Sequence, residues 1–111
     1  MHQATLDGSA GLRGTVVDLL DSVFGPAGGP RSGPPGRVHV ACCGPDAMMA
    51  AVARWSAARN ISCDVSLEAP MACGIGICFT CVARVRDGSG GWDYRRTCIE
   101  GPVFDATRIE W

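Results

Sequence analysis

The apolar and polar positions of the chain fall into two textures. Up to about residue 67, apolar residues recur with helical or strand spacing between short polar turns; from residue 69 onward they are broken up by cysteine and glycine. His2 to Leu6 predicts a short strand closed by the turn Asp7-Gly8-Ser9-Ala10-Gly11. Val16, Leu19, Leu20 and Val23 then give a helix over roughly residues 15–24 one apolar face. Residues 25–36 are rich in proline and glycine and predict a flexible connection, because proline lacks the amide donor and glycine loses too much entropy on ordering. Val38 to Cys42 reads as a buried strand. Gly44-Pro45 opens a helix to about Arg59, with Met48, Val52 and Trp55 on one face, Asn60 ends it, and Cys63 to Leu67 forms a further strand.

Strand, helix, strand, helix, strand in that order predicts parallel pairing through crossover helices, as in a nucleotide-binding α/β module. No Gly-x-Gly-x-x-Gly follows any predicted strand, so the pattern matches only the C-terminal half of a Rossmann-like module, without its phosphate-binding turn. Beyond a boundary near Glu68 comes a Cys- and Gly-rich loop. A strand at Phe79 to Arg86, the turn Asp87-Gly88-Ser89-Gly90-Gly91 and a strand from Trp92 to Ile99 then give a hairpin signal, and residues 101–106 continue as a short strand and turn.

With 111 residues, 47% of them hydrophobic, the chain can build one modest core. Ten basic against eleven acidic side chains leave a formal charge of -1, which offers nucleic acid no attraction. No stretch approaches the roughly 18 apolar residues a membrane span needs. The N-terminus lacks the basic region and apolar core of a secretory signal, so a cytoplasmic location is expected. Seven cysteines are then a metal or redox signal rather than a disulfide framework, and the odd number forbids complete pairing.

Cys73, Cys78 and Cys81 are spaced C-x4-C-x2-C, and Cys98 follows after sixteen further residues. This is the plant-type [2Fe–2S] spacing with a shortened last interval. Such a cluster with four thiolates is anionic, so the loop must turn backbone amides toward sulfur. Gly74 and Gly76 allow that curl, and Met71, Ile75, Ile77 and Phe79 are expected to shield the cluster in part. A structural zinc site would want two C-x2-C pairs or one pair with histidines; only Cys78 and Cys81 form such a pair, and His39 on an apolar strand reads as a satisfied core histidine. Redox or disulfide thiols are the remaining alternative.

Ser66-Leu67-Glu68, Met71-Ala72-Cys73-Gly74-Ile75-Gly76, Cys78, Cys81, Cys98 and Gly101-Pro102-Val103-Phe104-Asp105 resemble the electron-transfer subunit of the two-subunit, NAD-dependent dihydroorotate dehydrogenase. Asp7-Gly8-Ser9-Ala10-Gly11 and Cys43-Gly44-Pro45-Asp46-Ala47-Met48-Met49 resemble the later half of that family's ferredoxin-reductase-like NAD module. The resemblance implies the C-terminal part of such a subunit, with residues 1–67 a partial NAD module and residues 68–111 the [2Fe–2S] domain. It further implies that Cys73 and Cys78 hold one iron and Cys81 and Cys98 the other. Electrons would pass from an FAD and NAD site to FMN in the catalytic subunit, for pyrimidine biosynthesis. The family's flavin barrel and first NAD half have no counterpart in residues 1–111, and Pro70 stands where the family has a polar or basic residue, so FAD and NAD are expected only with further domains or a partner.

Cys43, Gly44, Pro45, Asp7, Gly8 and Ser9 are thus candidates for the nicotinamide or flavin vicinity. Cys43 precedes a helix start, whose dipole favours a thiolate, but Cys43, and still more Cys42 and Cys63, read first as small buried hydrophobes, and Asp7-Gly8-Ser9 as turn punctuation. Met48 and Met49 read as core. Arg84, Arg86, Arg95 and Arg96 alternate along the hairpin as a solvated face, or one that steers an acidic partner. The cluster spacing does not encode the final acceptor, so a relay serving another flavoprotein and a non-redox structural or regulatory module stay open beside the first reading.

Overall fold

The computed structural model describes residues 1–25 and 38–111. The flexible connection expected over residues 25–36 lies, after Gly25, outside the described residues. The N-terminal strand β1 (Ala4–Thr5) is two residues long and pairs in parallel with β2 (Leu12–Arg13) around the Asp7–Gly11 turn, with Ala4 opposite Leu12. It does not join the main sheet, a correction to the simple alternating order. Helix α1 (Val16–Phe24) starts at Thr15, whose hydroxyl accepts from the Asp18 amide at 3.3 Å while the Asp18 carboxylate accepts from the Thr15 amide at 2.7 Å. That reciprocal pair satisfies two of the amides a helix start otherwise leaves open.

Strand β3 (His39–Cys43), helix α2 (Asp46–Ala57) and strand β4 (Ser62–Ser66) form a parallel crossover unit, with Val40 opposite Cys63 and Cys42 opposite Val65. Asn60, at φ 52°, turns the chain from α2 toward β4. Helix α1 is fastened to α2 at one corner. The Phe24 ring meets Trp55 edge-on at 5.8 Å, the Arg59 guanidinium lies 4.2 Å over the Trp55 ring, and the Asp21 carboxylate accepts from both Trp55 Nε1, at 2.8 Å, and Arg59.

Past the cluster loop, β5 (Val82–Arg86) and β6 (Trp92–Arg96) form an antiparallel hairpin, with Arg84 opposite Tyr94. Both strands are shorter than the pattern suggested. Phe79 to Cys81 stay in the loop, and residues 97–99, expected as strand, wind with residue 100 into one helical turn, α3 (Thr97–Glu100), which carries Cys98. Strand β7 (Val103–Asp105) pairs antiparallel with β4, placing Phe104 opposite Val65, and a 3-10 turn follows at Ala106–Arg108. The segment beyond Glu68 therefore contributes a strand to the sheet of the segment before it. The core is shared as well: Met49, Val52 and Ala53 of α2 pack with Cys63 and Val65 of β4, Val85 of β5, Ala106 and Ile109.

The opposite face of β3 and β4 is uncovered among the described residues. His39, expected in the core, lies exposed on that face, with Nδ1 2.8 Å from Ser62 Oγ and Nε2 3.1 Å from Asp64 Oδ2. Strand alternation explains the correction: Val40 and Cys42 pack toward the core, so His39, Ala41 and Cys43 point away from it. No helix among the described residues is long and apolar enough to cross a membrane. Met49 is fully enclosed where α2 meets the sheet. Met49→Ala should lower unfolding stability by about 2–5 kcal/mol in a urea titration, and a cost under about 1 kcal/mol would show that this core collapses around the gap.

Candidate metal centre

Backbone curvature makes the cysteine loop. Gly74 and Gly76 sit at φ 68° and 80°, in the left-handed region that residues with a Cβ resist. The amides of Ile75, Cys78 and Ile77 consequently turn toward the Cys73 sulfur. Those donors, with the neighbouring Cys78 thiol, stabilise a thiolate and bring the Cys73 pKa down to about 6. The Cys81 thiol is likewise lowered, chiefly by the Cys98 amide and then the Cys98 thiol. Cys98 is raised, first because its thiol donates to the Cys81 sulfur and also by the charges of Cys81 and Cys73, while the Gly76 amide opposes the rise.

The mutual influence of Cys73 with Cys78 and of Cys81 with Cys98, and the effect of Cys73 on Cys98, place the four cysteines in one neighbourhood as two pairs. Cys81 is buried and the other three are half-buried. Among the described residues no group of three metal-binding side chains closes around a single point, whereas two adjacent pairs suit a binuclear cluster, in which each iron takes two thiolates. The donor set, the inward amides and an orphaned buried donor, Arg96 Nε, all fit an anionic iron–sulfur group.

The second pair is held by the end of the hairpin. The Thr97 amide donates to the Cys81 carbonyl at 2.8 Å, and the Glu100 carboxylate accepts from the Arg96 amide at 2.8 Å and from Arg95 Nη1 at 3.2 Å. These contacts lower the Glu100 pKa. Around the loop, Met71, Ile75, Ile77 and Phe79 keep 61%, 69%, 77% and 69% of their surface exposed, so they form an open apolar collar rather than a seal.

The other candidates are not gathered into this site. The Asp7 carboxylate accepts from the Ser9 amide at 3.0 Å within its own turn, and its pKa is lowered mainly by that bond. Cys43 is exposed, which removes the buried reading for this residue, and with Ala41, Cys42, Asp64, Ser66 and Val103 it lines a depression on the open sheet face; its Sγ lies 3.9 Å from Glu68 Oε1. Gly44-Pro45 immediately precedes α2. Cys63 is buried in the core and Cys42 packs against it, and desolvation raises both thiols. Sequence reasoning assigned Arg96 to a solvated or partner-steering face and passed over Glu100; the proximity of both to Cys98 in sequence was their only signal.

Residues 68–110 match the model of the iron–sulfur cluster binding domain of dihydroorotate dehydrogenase B. An iron–sulfur cluster binding domain is the class that this loop and hairpin define. Over 95% of its length the chain is 36% identical to the dihydroorotate dehydrogenase B (NAD(+)) electron transfer subunit of Caldanaerobacter subterraneus, covering 38% of that protein. It is 37% identical to the corresponding subunit of Clostridium acetobutylicum over 91% of this chain and 34% of that one. A solved structure described as an NADH-dependent reduced ferredoxin-NADP oxidoreductase, studied for flavin-based electron bifurcation, superposes with a TM-score of 0.65 at 30% identity, covering 95% of this chain and 33% of that one. The chain is similar to dihydroorotate dehydrogenase B electron transfer subunits, carries the iron–sulfur cluster binding domain over residues 68–110, and spans about a third of the length of the relatives it matches.

The two loop glycines supply a test. A Cβ on Gly74 would meet only Met71 Sδ at 3.6 Å, whereas one on Gly76 would stand 2.5 Å from Ile99 Cδ1, so Ile99 must turn aside. Both Gly→Ala changes carry a backbone strain of about 1–2 kcal/mol. Gly76→Ala should therefore speed cluster loss to a chelator by at least about tenfold, and more than Gly74→Ala. Equal, small effects would show that neither curl nor clearance limits the site.

Proposed function

We propose that this chain is the electron-relay part of a dihydroorotate dehydrogenase of the two-subunit type, passing electrons to an FMN-containing catalytic subunit in pyrimidine biosynthesis in the cytoplasm. The observation that carries the reading is the pairing of four thiols under an amide-lined loop whose rim is open and apolar. Cys73, Cys78, Cys81 and Cys98 are the ligands of a [2Fe–2S] cluster in this reading, one pair on each iron. When bound, the cluster takes up and releases one electron at a time. The chain's own residues favour the thiolate at Cys73 and Cys81, present amide dipoles to sulfur, and leave the rim bare for close approach by a flavoprotein.

Residues 68–111 form the cluster-binding part in this proposal, and residues 1–67 the later half of a Rossmann-like module. The parallel β3-α2-β4 unit supports the latter. Cys43, Gly44 and Pro45, with Asp7, Gly8 and Ser9, are its contribution to an NAD or FAD vicinity completed by other parts of the assembly. The superposition on a bifurcating oxidoreductase favours a second reading, the same relay within another flavoprotein complex. Copurifying partners separate the two.

Protein assembled with iron and sulfide should contain about two irons and two labile sulfides per chain. Serine at any of the four loop and turn cysteines should abolish or strongly alter the paramagnetic resonance of the reduced cluster, whereas Cys42→Ser and Cys63→Ser should not. One zinc and no sulfide sinks the cluster assignment. In stopped flow against the FMN-containing subunit from the same source, Ile77→Asp should keep the cluster spectrum and slow flavin reduction by at least about tenfold, through loss of apolar contact at the rim. Unchanged transfer would place the contact elsewhere.

A further inference from the structure

Arg96, the last residue of β6, stands between the hairpin and the cysteine loop. Its Nη1 donates to the Gly76 carbonyl at 2.6 Å. That carbonyl belongs to the Gly76–Ile77 peptide, whose other end, the Ile77 amide, is among the donors turned to the Cys73 sulfur. Guanidinium, peptide and sulfur thus lie in series, an arrangement in which a charge at one end strengthens the donor at the other. The guanidinium carbon also lies 5.5 Å from the centre of the Phe79 ring, two residues before Cys81.

The bland reading is a surface ion pair with Glu100. That pairing is present but loose: Arg96 Nε is 3.7 Å from Glu100 Oε2, within ion-pair range yet too far to hydrogen-bond, and is buried without a hydrogen-bond acceptor among the described residues. Glu100 instead takes the Arg96 backbone amide and Arg95, closing the Cys98 turn from behind. The guanidinium's hydrogen bond runs forward, to the loop.

We propose that Arg96 is a positioning residue of the cluster site: by gripping the Gly76 carbonyl it holds the loop of Cys73, Cys78 and Cys81 against the Cys98 turn, and its charge makes the bound cluster easier to reduce. Reduction adds an electron to a centre that is already anionic, so a fixed cation one peptide away favours the reduced form. The inference rests on the reading of the four cysteines as ligands, and iron and sulfide content tests that reading separately from the role of Arg96.

The experiment is a redox titration of the full chain, loaded with cluster and followed by visible absorbance and paramagnetic resonance. Arg96→Gln removes the charge and should lower the reduced-to-oxidised ratio at a fixed potential by about tenfold, which is 59 mV for a one-electron couple. Arg96→Lys keeps a charged donor and should restore most of the shift. Arg95→Gln, which loosens Glu100 without touching the loop, should titrate like the parent. An unchanged potential in Arg96→Gln, or an equal fall in Arg96→Lys, overturns the proposal. Where Arg96→Gln fails to hold cluster, retention at the parent potential by Arg96→Lys and Arg95→Gln supports it, and loss of cluster in Arg95→Gln as well overturns it by showing a general weakness of the hairpin.

Discussion

Everything in the cluster segment follows from the demand that consecutive amides face inward on an anionic centre. A backbone of ordinary residues turns successive amides alternately, so a run of donors converging on one sulfur requires left-handed φ at chosen points, and Gly74 and Gly76 occupy two of them. The same curl has an unavoidable second effect. With amides directed inward, the side chains of Ile75, Ile77 and Phe79 have only the outside available, and there they are found. The apolar rim and the polar lining are therefore two faces of one backbone conformation.

Such a loop has little core of its own, and its stability comes from where its ends are tied. The chain leaves β4 at Ser66, and after the loop, hairpin and Cys98 turn it returns as β7 on the free edge of the same strand. At the base of this excursion the Leu67 amide donates to the Pro102 carbonyl at 3.0 Å. Farther along, Val85 of the hairpin bridges to Ile109, and the Glu110 amide donates to the Arg84 carbonyl at 3.0 Å, so the hairpin is bound to the tail after β7. Cys98 is thus positioned from both directions, by β6 before it and β7 after it. Because Val65, Val85 and Ile109 share one core with Met49 and Val52 of α2, strain at the cysteines is transmitted to a packed interior rather than absorbed by a loose appendage.

Much of this was legible in the sequence because it rests on local rules. The helix over residues 15–24 and the parallel unit around α2 each depend on residues close together in the chain, and each is found near its expected place. What the sequence concealed depends on non-local contacts. Residues 97–99 have the texture of a strand, yet the Thr97 amide is taken by the Cys81 carbonyl and the Arg96 amide by the Glu100 carboxylate, which favours a helical turn there. His39 reads as core by its apolar neighbours, and only the register of β3 on β4, with His39 opposite Ser62, shows it on the open face. Arg96 has the same difficulty: its partner is twenty residues away on a glycine carbonyl, which carries no side-chain signal.

Among the described residues, the open sheet face and the apolar collar differ in what they gain from association. On the open sheet face His39 already bridges Ser62 and Asp64, so its polar groups are satisfied by one another and by water. The collar of Met71, Ile75, Ile77 and Phe79 has no such compensation. Full burial of four such side chains is worth about 6–12 kcal/mol at roughly 1.5–3 kcal/mol each, and they are partly covered already, so the lower end applies. Association costs about 4–15 kcal/mol in lost rigid-body freedom. On these magnitudes the collar alone supports a contact that forms and dissolves readily, not a permanent seal. In the proposed relay, which would accept an electron on one encounter and release it on another, a rim this bare gives close approach to the cluster without tight capture.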